Sequence, residues 1–379
     1  MRIIVDNKIP YIKGVLEGVA DVKYMQGSAI SNSDVKDVDA MIIRTRTKCN
    51  QQLLTGSSVK FIATATIGYD HIDTEYCADN GIVWTNAPGC NSSSVEQYIV
   101  STLLWLGIEK HIDLAKSTIG IIGAGNVGSK VARAASALGL NVLLNDPPRE
   151  RAEGSNDFTD LDVLLKESDI VTMHVPLNRS GVDKTELMAD ASFFSKMKQG
   201  AVFINSSRGE VVQESDLKDA IRQDKFSGIV LDVFQNEPAI DTELLKSCTL
   251  ATPHIAGYSA DGKANGTTMS VQALSRFFKL GINDWEADNV PMNGEKEMFA
   301  DGSEEDSLEL ISSIYWQTYN IKADQERFLA DPGKFEHLRG SYPVRREPAA
   351  YSVRLYNDDG FYRKVFEGLG FNVIGDSCF

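Results

Sequence analysis

Residues 118–146 read TIGIIGAGNVGSKVARAASALGLNVLLND, a stretch that joins two apolar runs through a glycine-rich turn. Residues 118–122 and 141–145 are apolar runs of strand length, and residues 129–138 have the spacing of an amphipathic helix. The pattern G-x-G-x-x-G occupies residues 123–128. Such glycines occur by chance in many proteins, but a strand before them and a helix after them indicate a dinucleotide-binding turn.

The three glycines of this turn have separate predicted tasks. Gly123 permits the tight turn, Gly125 lets the backbone approach a pyrophosphate, and Gly128 allows the helix to pack closely on the strand. The N-terminus of the following helix offers N–H groups to the phosphates. We therefore assign the whole loop, including Asn126 and Val127, to cofactor binding.

The acid at the end of the second strand predicts which dinucleotide binds. Asp146 directly follows the run 141–145, near the position about 20 residues beyond the glycines where an acid binds the adenosine ribose. Its carboxylate accepts hydrogen bonds from ribose hydroxyls and repels a 2′-phosphate, which favours NAD over NADP. Arg149 and Arg151 lie close by and are the features that argue for NADP.

Strand-like runs alternate with helical segments along most of the chain. Such alternation predicts α/β folds, in which parallel sheets are covered by helices on both faces. The further strand-like runs are residues 2–5, 40–44, 60–65, 170–173, 201–205, 228–232 and 249–251, and the helical segments include residues 93–110, 161–166, 191–197, 214–224 and 260–280.

The C-terminal part of the chain reads differently. Residues 284–306 are rich in Asp, Glu, Asn and Gly and predict a linker. Beyond them we predict a helix at 308–319, a strand at 351–356, a helix at 361–369 and a strand at 371–374. Because so short a segment buries only a marginal core, we expect it to dock or to dimerise.

Composition excludes several classes of partner. The net charge is −15, with 53 acidic against 38 basic residues, so nucleic acid and anionic membrane surfaces are not expected partners. The most apolar stretch, residues 98–108, is too short to span a bilayer, and the N-terminus lacks the pattern of a signal peptide. The scattered cysteines, which suit a reducing cytoplasm and predict neither disulfides nor a metal site, are Cys49, Cys77, Cys90, Cys248 and Cys378.

Three chemically active side chains follow three different strands of the predicted sheet. Arg208 follows the run 201–205, Glu237 follows the run 228–232, and His254 follows the run 249–251. Carboxyl ends of parallel strands meet at the edge where α/β sheets bind their ligands. A single histidine at a strand end is more often structural than catalytic, but this combination predicts an active site.

At this point the sequence resembles the D-isomer-specific 2-hydroxyacid dehydrogenases, over residues 40–285. The matching motifs, in order, are the glycine loop, His-Val-Pro-Leu from His174, Asn-Ser-Ser-Arg-Gly from Asn205, and Asp-Val-Phe…Glu-Pro from Asp232 ahead of Thr-Pro-His-Ile-Ala-Gly. The resemblance implies two Rossmann-like, doubly wound parallel-sheet domains and a small α+β C-terminal dimerisation domain. These would be a substrate domain of residues 1–90 and 258–285, an NAD-binding domain of residues 91–257, and a dimerisation domain of residues 286–379.

The resemblance also implies roles for individual residues. Arg208 grips the substrate carboxylate, His254 takes the C2 hydroxyl proton as hydride leaves for the nicotinamide, and Glu237 orients the imidazole. Further residues with implied roles fall into two groups. The cofactor contacts are Val175, Ser206, Ser207, Asp232 and Gly257, and the substrate contacts are Thr45, Thr66 and Tyr258.

Within this family the chain looks most like enzymes that oxidise a phosphorylated hydroxy acid. Arg44, Arg46 and Lys48 are the nearby cations for such a phosphate. Arg345 and Arg346 are expected either to add charge across a dimer interface, or merely to serve a surface loop or pair with Glu347. Phosphoglycerate dehydrogenase and an NAD-binding corepressor scaffold remain open as alternatives. Formate dehydrogenases pair Gln with the histidine, so Glu237 disfavours them.

Overall fold

The computed structural model describes residues 1–304 and 306–375, so Cys378 lies outside the described residues. The chain divides into two compact units. The first unit contains residues 1–92 and 258–291, and the second contains residues 93–257 and 292–379. The second unit therefore groups the C-terminal segment with the nucleotide-binding region. A separate domain at residues 286–379 stays a prediction.

The strands form three sheets, and every pairing between them is parallel among the described residues. The strands are β1 (Arg2–Asp6), β2 (Asp21–Met25), β3 (Ala40–Ile43), β4 (Phe61–Thr64), β5 (Val83–Thr85), β6 (Thr118–Ile122), β7 (Asn141–Asn145), β8 (Ile170–Met173), β9 (Ala201–Asn205), β10 (Phe226–Leu231), β11 (Leu250–Ala251), β12 (Glu297–Asp301), β13 (Ser352–Tyr356) and β14 (Asn372–Ile374).

The helices cover these sheets and connect successive strands. They are α1 (Gln51–Leu54), α2 (Thr74–Asp79), α3 (Ser92–Glu109), α4 (Asn126–Ala137), α5 (Pro147–Glu153), α6 (Leu161–Glu167), α7 (Ala191–Lys196), α8 (Glu214–Arg222), α9 (Thr242–Ser247), α10 (Ala260–Phe278), α11 (Ser307–Thr318), α12 (Ile321–Ala330), α13 (Phe335–Gly340) and α14 (Phe361–Gly368).

The first unit is built on a five-stranded sheet in the order β2-β1-β3-β4-β5. Strands β3 and β4 are buried along their whole length, as expected of apolar strands covered on both faces. One face packs on a core that includes Met41 and Ile62, and the other on a core that includes Ile42, Ala63 and Leu274 of α10.

The second unit is built on a six-stranded sheet in the order β11-β10-β9-β8-β6-β7. The strand order reverses at β6, which has β7 on one side and β8 on the other. Open α/β sheets bind ligands at such a switch point, outside the carboxyl ends of the strands. The glycine turn follows β6 and begins α4, so the fold places it at that point.

The C-terminal segment adds a small sheet in the order β12-β13-β14. The predicted linker at 284–306 is wrong in one part, because Glu297–Asp301 forms β12. This strand alternates buried and exposed residues and pairs in register with β13. The sequence did not predict it because the residues on either side are polar and the alternation is short. Its buried face packs on a core that includes Val100 and Leu104 of α3.

The predicted fold class is confirmed by this arrangement of two Rossmann-type sheets and a third, smaller sheet. No helix in the described ranges has the length and apolar character needed to cross a membrane. Within residues 1–304 and 306–375, no group of three or more His, Cys, Asp or Glu side chains is arranged to hold a metal ion.

Candidate active site

The glycine turn has the shape that the cofactor prediction requires. Gly123 has φ of 89°, and a Cβ there would lie 2.6 Å from the carbonyl oxygen of His174. A Cβ on Gly128 would lie 1.9 Å from the carbonyl oxygen of Gly123. Gly125 instead faces open space, with nothing within 4 Å of its Cβ position, and it caps α4 without a side-chain hydrogen bond. The loop therefore presents bare backbone and a helix N-terminus to a diphosphate.

Asp146 lies at the end of β7, beside the glycine turn. Its Oδ2 accepts a hydrogen bond from the Ala124 N–H at 2.8 Å, and its Oδ1 accepts one from the Arg149 N–H at 3.1 Å. The two arginines that argued for NADP are both paired with acids. Arg149 pairs with Glu153 at 2.6 Å and also donates to the Ala124 carbonyl of the glycine turn, and Arg151 pairs with Asp183 at 2.6 Å. These pairings leave the acidic Asp146 as the group that fits a ribose with free hydroxyls.

Glu237 and His254 form a hydrogen-bonded pair. The Oε2 atom of Glu237 lies 2.7 Å from Nδ1 of His254, and its Oε1 accepts from the Phe234 N–H at 3.0 Å. Burial raises the pKa of Glu237, but the hydrogen bond and charge of His254 outweigh it, so the pKa lies below its ordinary value. An ionised Glu237 only accepts, which places the proton on Nδ1 and leaves Nε2 to exchange protons.

Arg208 is held by the turn that follows β9. The side chain of Asn205 donates to the Arg208 carbonyl at 2.9 Å and accepts from the Ser207 N–H at 3.0 Å. Gly209 then touches the Phe234 backbone, because a Cβ there would lie 2.0 Å from the Phe234 carbonyl carbon. This contact brings the Arg208 turn against the turn that carries Glu237. Sequence reasoning missed Asn205 and Gly209 as positioning residues, although both lie in a motif that it quoted.

Asp232 is a buried carboxylate that organises the chain around His254. Its Oδ1 accepts from the Thr252 hydroxyl at 2.6 Å and from the Ile255 N–H at 2.8 Å, and its Oδ2 accepts from the Ala256 N–H at 2.9 Å. Burial raises the pKa of Asp232 above its ordinary value, against these donors and the charge of His254. The contacts show Asp232 as the anchor of the His254 turn, and its role toward a cofactor stays a prediction.

The three catalytic candidates line one cleft with a volume of about 510 Å³. Arg208, Glu237 and His254 all line it, as the sequence predicts for side chains that follow three strands of one sheet. Half-buried Glu186 and Glu210, which the sequence analysis did not single out, also line the cleft. The arrangement provides a planar cation for a carboxylate and an oriented imidazole for a proton, which suits oxidation of a hydroxy acid.

The other predicted cofactor residues lie near the same strand ends. Val175 follows His174, half-buried beside the glycine turn. The Ser207 hydroxyl donates to Asn205, whereas the Ser206 hydroxyl is buried without a hydrogen-bond partner in the described part of the chain. Gly257 is half-buried and ends the first segment of the second unit. Their contacts with a cofactor stay predictions.

The predicted substrate residues lie in the first unit. Thr45 is exposed in the turn after β3, and Thr66 is half-buried in the loop after the neighbouring strand β4. The Thr66 hydroxyl lies 2.8 Å from the Thr64 hydroxyl, which lies 3.1 Å from Nε2 of His71. Tyr258 is half-buried, and its ring centroid lies 4.9 Å from Nζ of Lys263.

One expectation for the C-terminal segment is wrong. Arg345 does not merely serve a surface loop, because it is 4% exposed and donates to the Ala256 carbonyl at 2.5 Å. Its role at a dimer interface stays a prediction. Its guanidinium lies 4.3 Å from the ring centroid of Tyr319. The sequence motif did not reveal this burial, since an Arg-Arg-Glu run is usually solvated.

The comparisons with known proteins agree with this geometry. The family model described as "D-isomer specific 2-hydroxyacid dehydrogenase, NAD binding domain" matches residues 101–256. A D-lactate dehydrogenase from Aquifex aeolicus, solved with NAD and lactic acid, is 29% identical with a TM-score of 0.63, and covers 74% of this chain and 96% of its own. Fold, cleft and comparisons thus define an NAD-dependent D-2-hydroxyacid dehydrogenase, as predicted.

Two curated relatives narrow the class. An erythronate-4-phosphate dehydrogenase of Bacteroides fragilis is 50% identical over 93% of this chain and 99% of its own. One of Pseudomonas fluorescens is 36% identical over 98% of this chain and 99% of its own. The chain belongs to the family of erythronate-4-phosphate dehydrogenases.

Proposed function

We propose that the protein oxidises 4-phospho-D-erythronate with NAD to 2-oxo-3-hydroxy-4-phosphobutanoate, a step of pyridoxal 5′-phosphate (vitamin B6) biosynthesis. The observation that carries the chemistry is the Glu237–His254 pair, in which Nδ1 of His254 lies 2.7 Å from Oε2 of Glu237 in the cleft that Arg208 also lines. The choice of substrate is supported by the relatives named above. Bound NAD supplies the hydride acceptor for this chemistry. The protein supplies position, charge and the path of one proton.

Of the three catalytic candidates, one binds the charged substrate and two act in proton transfer. Arg208 offers a planar fork of donors that binds the substrate carboxylate and the C2 oxygen, which a lysine cannot imitate. His254 removes the C2 hydroxyl proton at Nε2, since Nδ1 is hydrogen-bonded to Glu237. Glu237 holds the ring in this tautomer and stabilises the imidazolium that forms. The proton leaves the hydroxyl as the C2 carbon becomes a ketone.

The residues proposed to hold NAD lie at the carboxyl ends of the strands of the second unit. The glycine turn accommodates the diphosphate and Asp146 the adenosine ribose, for the reasons of shape and charge given above. The remaining proposed contacts are those of the predicted set, namely Asn126, Val127, Val175, Ser206, Ser207, Asp232 and Gly257.

Recognition of the phosphorylated acid is proposed for the first unit. Thr45, Thr66 and Tyr258 are the proposed contacts for the substrate, and the cations in the turn after β3 are the proposed contacts for its phosphate. Arg46 and Lys48 are exposed in that turn and half-buried Arg44 precedes them, which supports their assignment to an anion.

We further propose a homodimer formed through the C-terminal segment of this cytoplasmic enzyme. The outer face of the β12–β13 pair exposes 62% of Phe299 and 51% of Tyr356, and exposed Phe361 begins α14 nearby in the chain. Large apolar side chains left exposed on a sheet suit contact with a second copy. Phe299→Asp should convert the dimer to a monomer in light scattering after size-exclusion chromatography. If Phe299→Asp instead forms the same dimer as the wild type, this face is not the dimer interface.

An activity assay with the purified protein tests the proposed function directly. NADH absorbance is followed with 4-phosphoerythronate, 3-phosphoglycerate or unphosphorylated erythronate, with a keto-acid acceptor added in parallel in case bound NADH stalls turnover. We expect clear preference for 4-phosphoerythronate and its loss in His254→Ala. Activity only with 3-phosphoglycerate would assign the protein to that other substrate. Tight NAD binding with no turnover of any acid would favour the corepressor-like scaffold.

A further inference from the structure

Arg345 is a buried cation behind the turn that carries His254. Its Nη2 atom donates to the Ala256 carbonyl at 2.5 Å and lies 3.4 Å from the Ser94 carbonyl at the start of α3. The guanidinium lies 4.3 Å from the ring centroid of Tyr319 and 5.7 Å from that of Tyr342. All of these residues belong to the second unit, and Arg345 lies outside the residues that the family model matches.

Aromatic rings and two buried carboxylates surround the guanidinium of Arg345. Burying an unpaired guanidinium is costly, and such groups are retained where charges and hydrogen bonds compensate. Buried Glu347 accepts a hydrogen bond from the Ser94 hydroxyl at 2.8 Å, and buried Asp324 accepts one from the Tyr342 hydroxyl at 2.6 Å. Both carboxylates therefore lie near the guanidinium and act on its charge. Among the described residues only Nη2 has hydrogen-bond partners, and Nε and Nη1 are buried without one, so the cation is compensated in part.

The backbone of Ala256 links Arg345 to the turn that carries the catalytic histidine. On one side its N–H donates to Oδ2 of Asp232 at 2.9 Å, and on the other its carbonyl accepts from Arg345. Two residues earlier, the His254 N–H donates to the Asp232 carbonyl at 2.7 Å. His254 itself has φ of 55°, in the left-handed region that few non-glycine residues adopt. The turn is thus held from both sides.

We propose that Arg345 is a positioning residue that keeps Nδ1 of His254 on Glu237 by holding the Ala256 carbonyl from behind. This inference rests on the proposed roles of His254 and Glu237. Arg345 touches neither the cleft nor the reacting atoms, since it does not line the cleft. Removing the guanidinium leaves a buried carbonyl without its donor, and the turn then relaxes away from the geometry that Glu237 requires.

The kinetic test compares Arg345→Met and Arg345→Lys with a control that lowers stability elsewhere. Val353→Ala truncates a fully buried side chain of β13 in the C-terminal core. We expect Arg345→Met to lower kcat about 10- to 100-fold while KM for NAD stays within about twofold. Arg345→Lys, which keeps the charge and can reach one carbonyl, should recover part of the loss. Val353→Ala should retain wild-type kcat per folded molecule.

A second readout does not depend on the substrate. The proton between Nδ1 of His254 and Glu237 should give a downfield proton resonance in wild type, which His254→Ala identifies by its loss. The resonance reports on this pair because Nδ1 of His254 lies 2.7 Å from Oε2 of Glu237. In Arg345→Met or, should that variant not fold, in Arg345→Lys, we expect the resonance to broaden or shift upfield.

The outcomes separate this inference from the proposed function. A wild-type resonance and kcat in the Arg345 variants, or equal losses in Val353→Ala, would overturn the positioning role and leave the function intact. Failure of the wild-type enzyme to oxidise any acid would reject the function. In that case the resonance still decides whether Arg345 positions His254.

Discussion

The two units hold their predicted site residues in different ways. In the second unit, both carboxylate oxygens of Glu237 and of Asp232 accept hydrogen bonds, and Asn205 fixes the backbone around Arg208. In the first unit, Thr45 and Lys48 are exposed in the turn that follows β3. The side chains proposed to handle charge and protons are therefore held by hydrogen bonds, and the proposed recognition turn is on the surface.

This difference has a physical reason. Electrostatic and proton-transfer steps gain from groups that are already oriented, because the enzyme then spends no free energy on reorienting them during the reaction. Recognition of a phosphate gains less from rigidity, since a flexible ammonium can reach an anion from several positions. We therefore expect substitutions in the anchored set to lower kcat and substitutions in the exposed turn to raise KM.

The largest expected effect is that of Glu237→Gln. The amide keeps the size of the side chain but donates as well as accepts, so it no longer enforces the proton on Nδ1 of His254 or stabilises the imidazolium. We expect kcat to fall about 10³- to 10⁴-fold, by analogy with loss of the carboxylate in a catalytic triad. Steady-state kinetics with 4-phosphoerythronate measure this. A loss below tenfold would show that Glu237 does not orient the base.

Arg208→Lys should have the next largest effect. Lysine keeps the charge but loses the planar fork, so we expect kcat/KM for the acid to fall about 10²-fold while NAD binding is unchanged. Fluorescence titration with NADH checks the second part. Arg222→Lys on α8, where the side chain is exposed and pairs with Glu243, is the matched control and should keep wild-type kcat/KM. Equal losses in both variants would contradict the role of Arg208.

The local pattern of the sequence is sufficient to predict the strands that carry the anchored residues, and the glycine turn between two of them. The strands predicted at 118–122, 141–145, 170–173 and 201–205 agree with β6, β7, β8 and β9 residue for residue. Each is an apolar run bounded by polar or glycine residues. Strands β6, β8 and β9 are buried along almost their whole length, where a strand tolerates little else, and β7 is the half-buried edge strand. The trio of Arg208, Glu237 and His254 also meets at one cleft, since carboxyl ends of parallel strands share an edge.

The sequence did not predict the features that depend on contacts between residues far apart in the chain. Helices α12 and α13 were not predicted, and β12 was taken for a linker. Phe328 of α12 and Phe335 of α13 pack in the same core as Phe234, which lies far away in the chain. Likewise, Arg345 is buried only because Tyr319, Ala256 and Ser94 meet around it. Such partners are set by the assembled fold, and local composition carries no signal of them.

A pair of glycine variants in the turn after β6 separates folding from cofactor binding. Gly128→Ala places a methyl group 1.9 Å from a backbone oxygen, and we expect it to destabilise the protein by about 2–3 kcal/mol. Gly125→Ala meets nothing within 4 Å, so stability should be retained while NAD affinity falls at least about tenfold. Thermal unfolding and NADH titration measure the two effects. Wild-type NAD affinity in Gly125→Ala would argue against a diphosphate at this turn.

The loop after β4, which contains Thr66 and His71, should respond to acid. Burial, opposed by the charge of Asp70, lowers the pKa of His71 to about 4. Because the unfolded chain binds the proton at about pH 6.5, this stability is full above that pH and is lost as pH falls toward 4, by about 2 kcal/mol after allowance for partial exposure. Thermal unfolding at pH 7 and pH 4.5 should show a smaller pH-dependent loss in His71→Asn. His337→Asn, on the exposed face of α13, should retain the wild-type dependence, and an unchanged loss in His71→Asn would contradict the assignment.

Lys48→Ala should have the smallest effect, confined to binding. Lys48 is exposed in the turn after β3, at the carboxyl edge of the sheet. Removing one mobile ammonium from a phosphate contact should raise KM for 4-phosphoerythronate about three- to tenfold and leave kcat within twofold. Lys60→Ala is the matched control, because Lys60 is also exposed but precedes β4 at the opposite edge, where it pairs with Asp39. The KM for unphosphorylated erythronate should not change in Lys48→Ala, since the contact requires the phosphate. A fall in kcat without a change in KM would place Lys48 among the anchored residues and remove the distinction between the two regions.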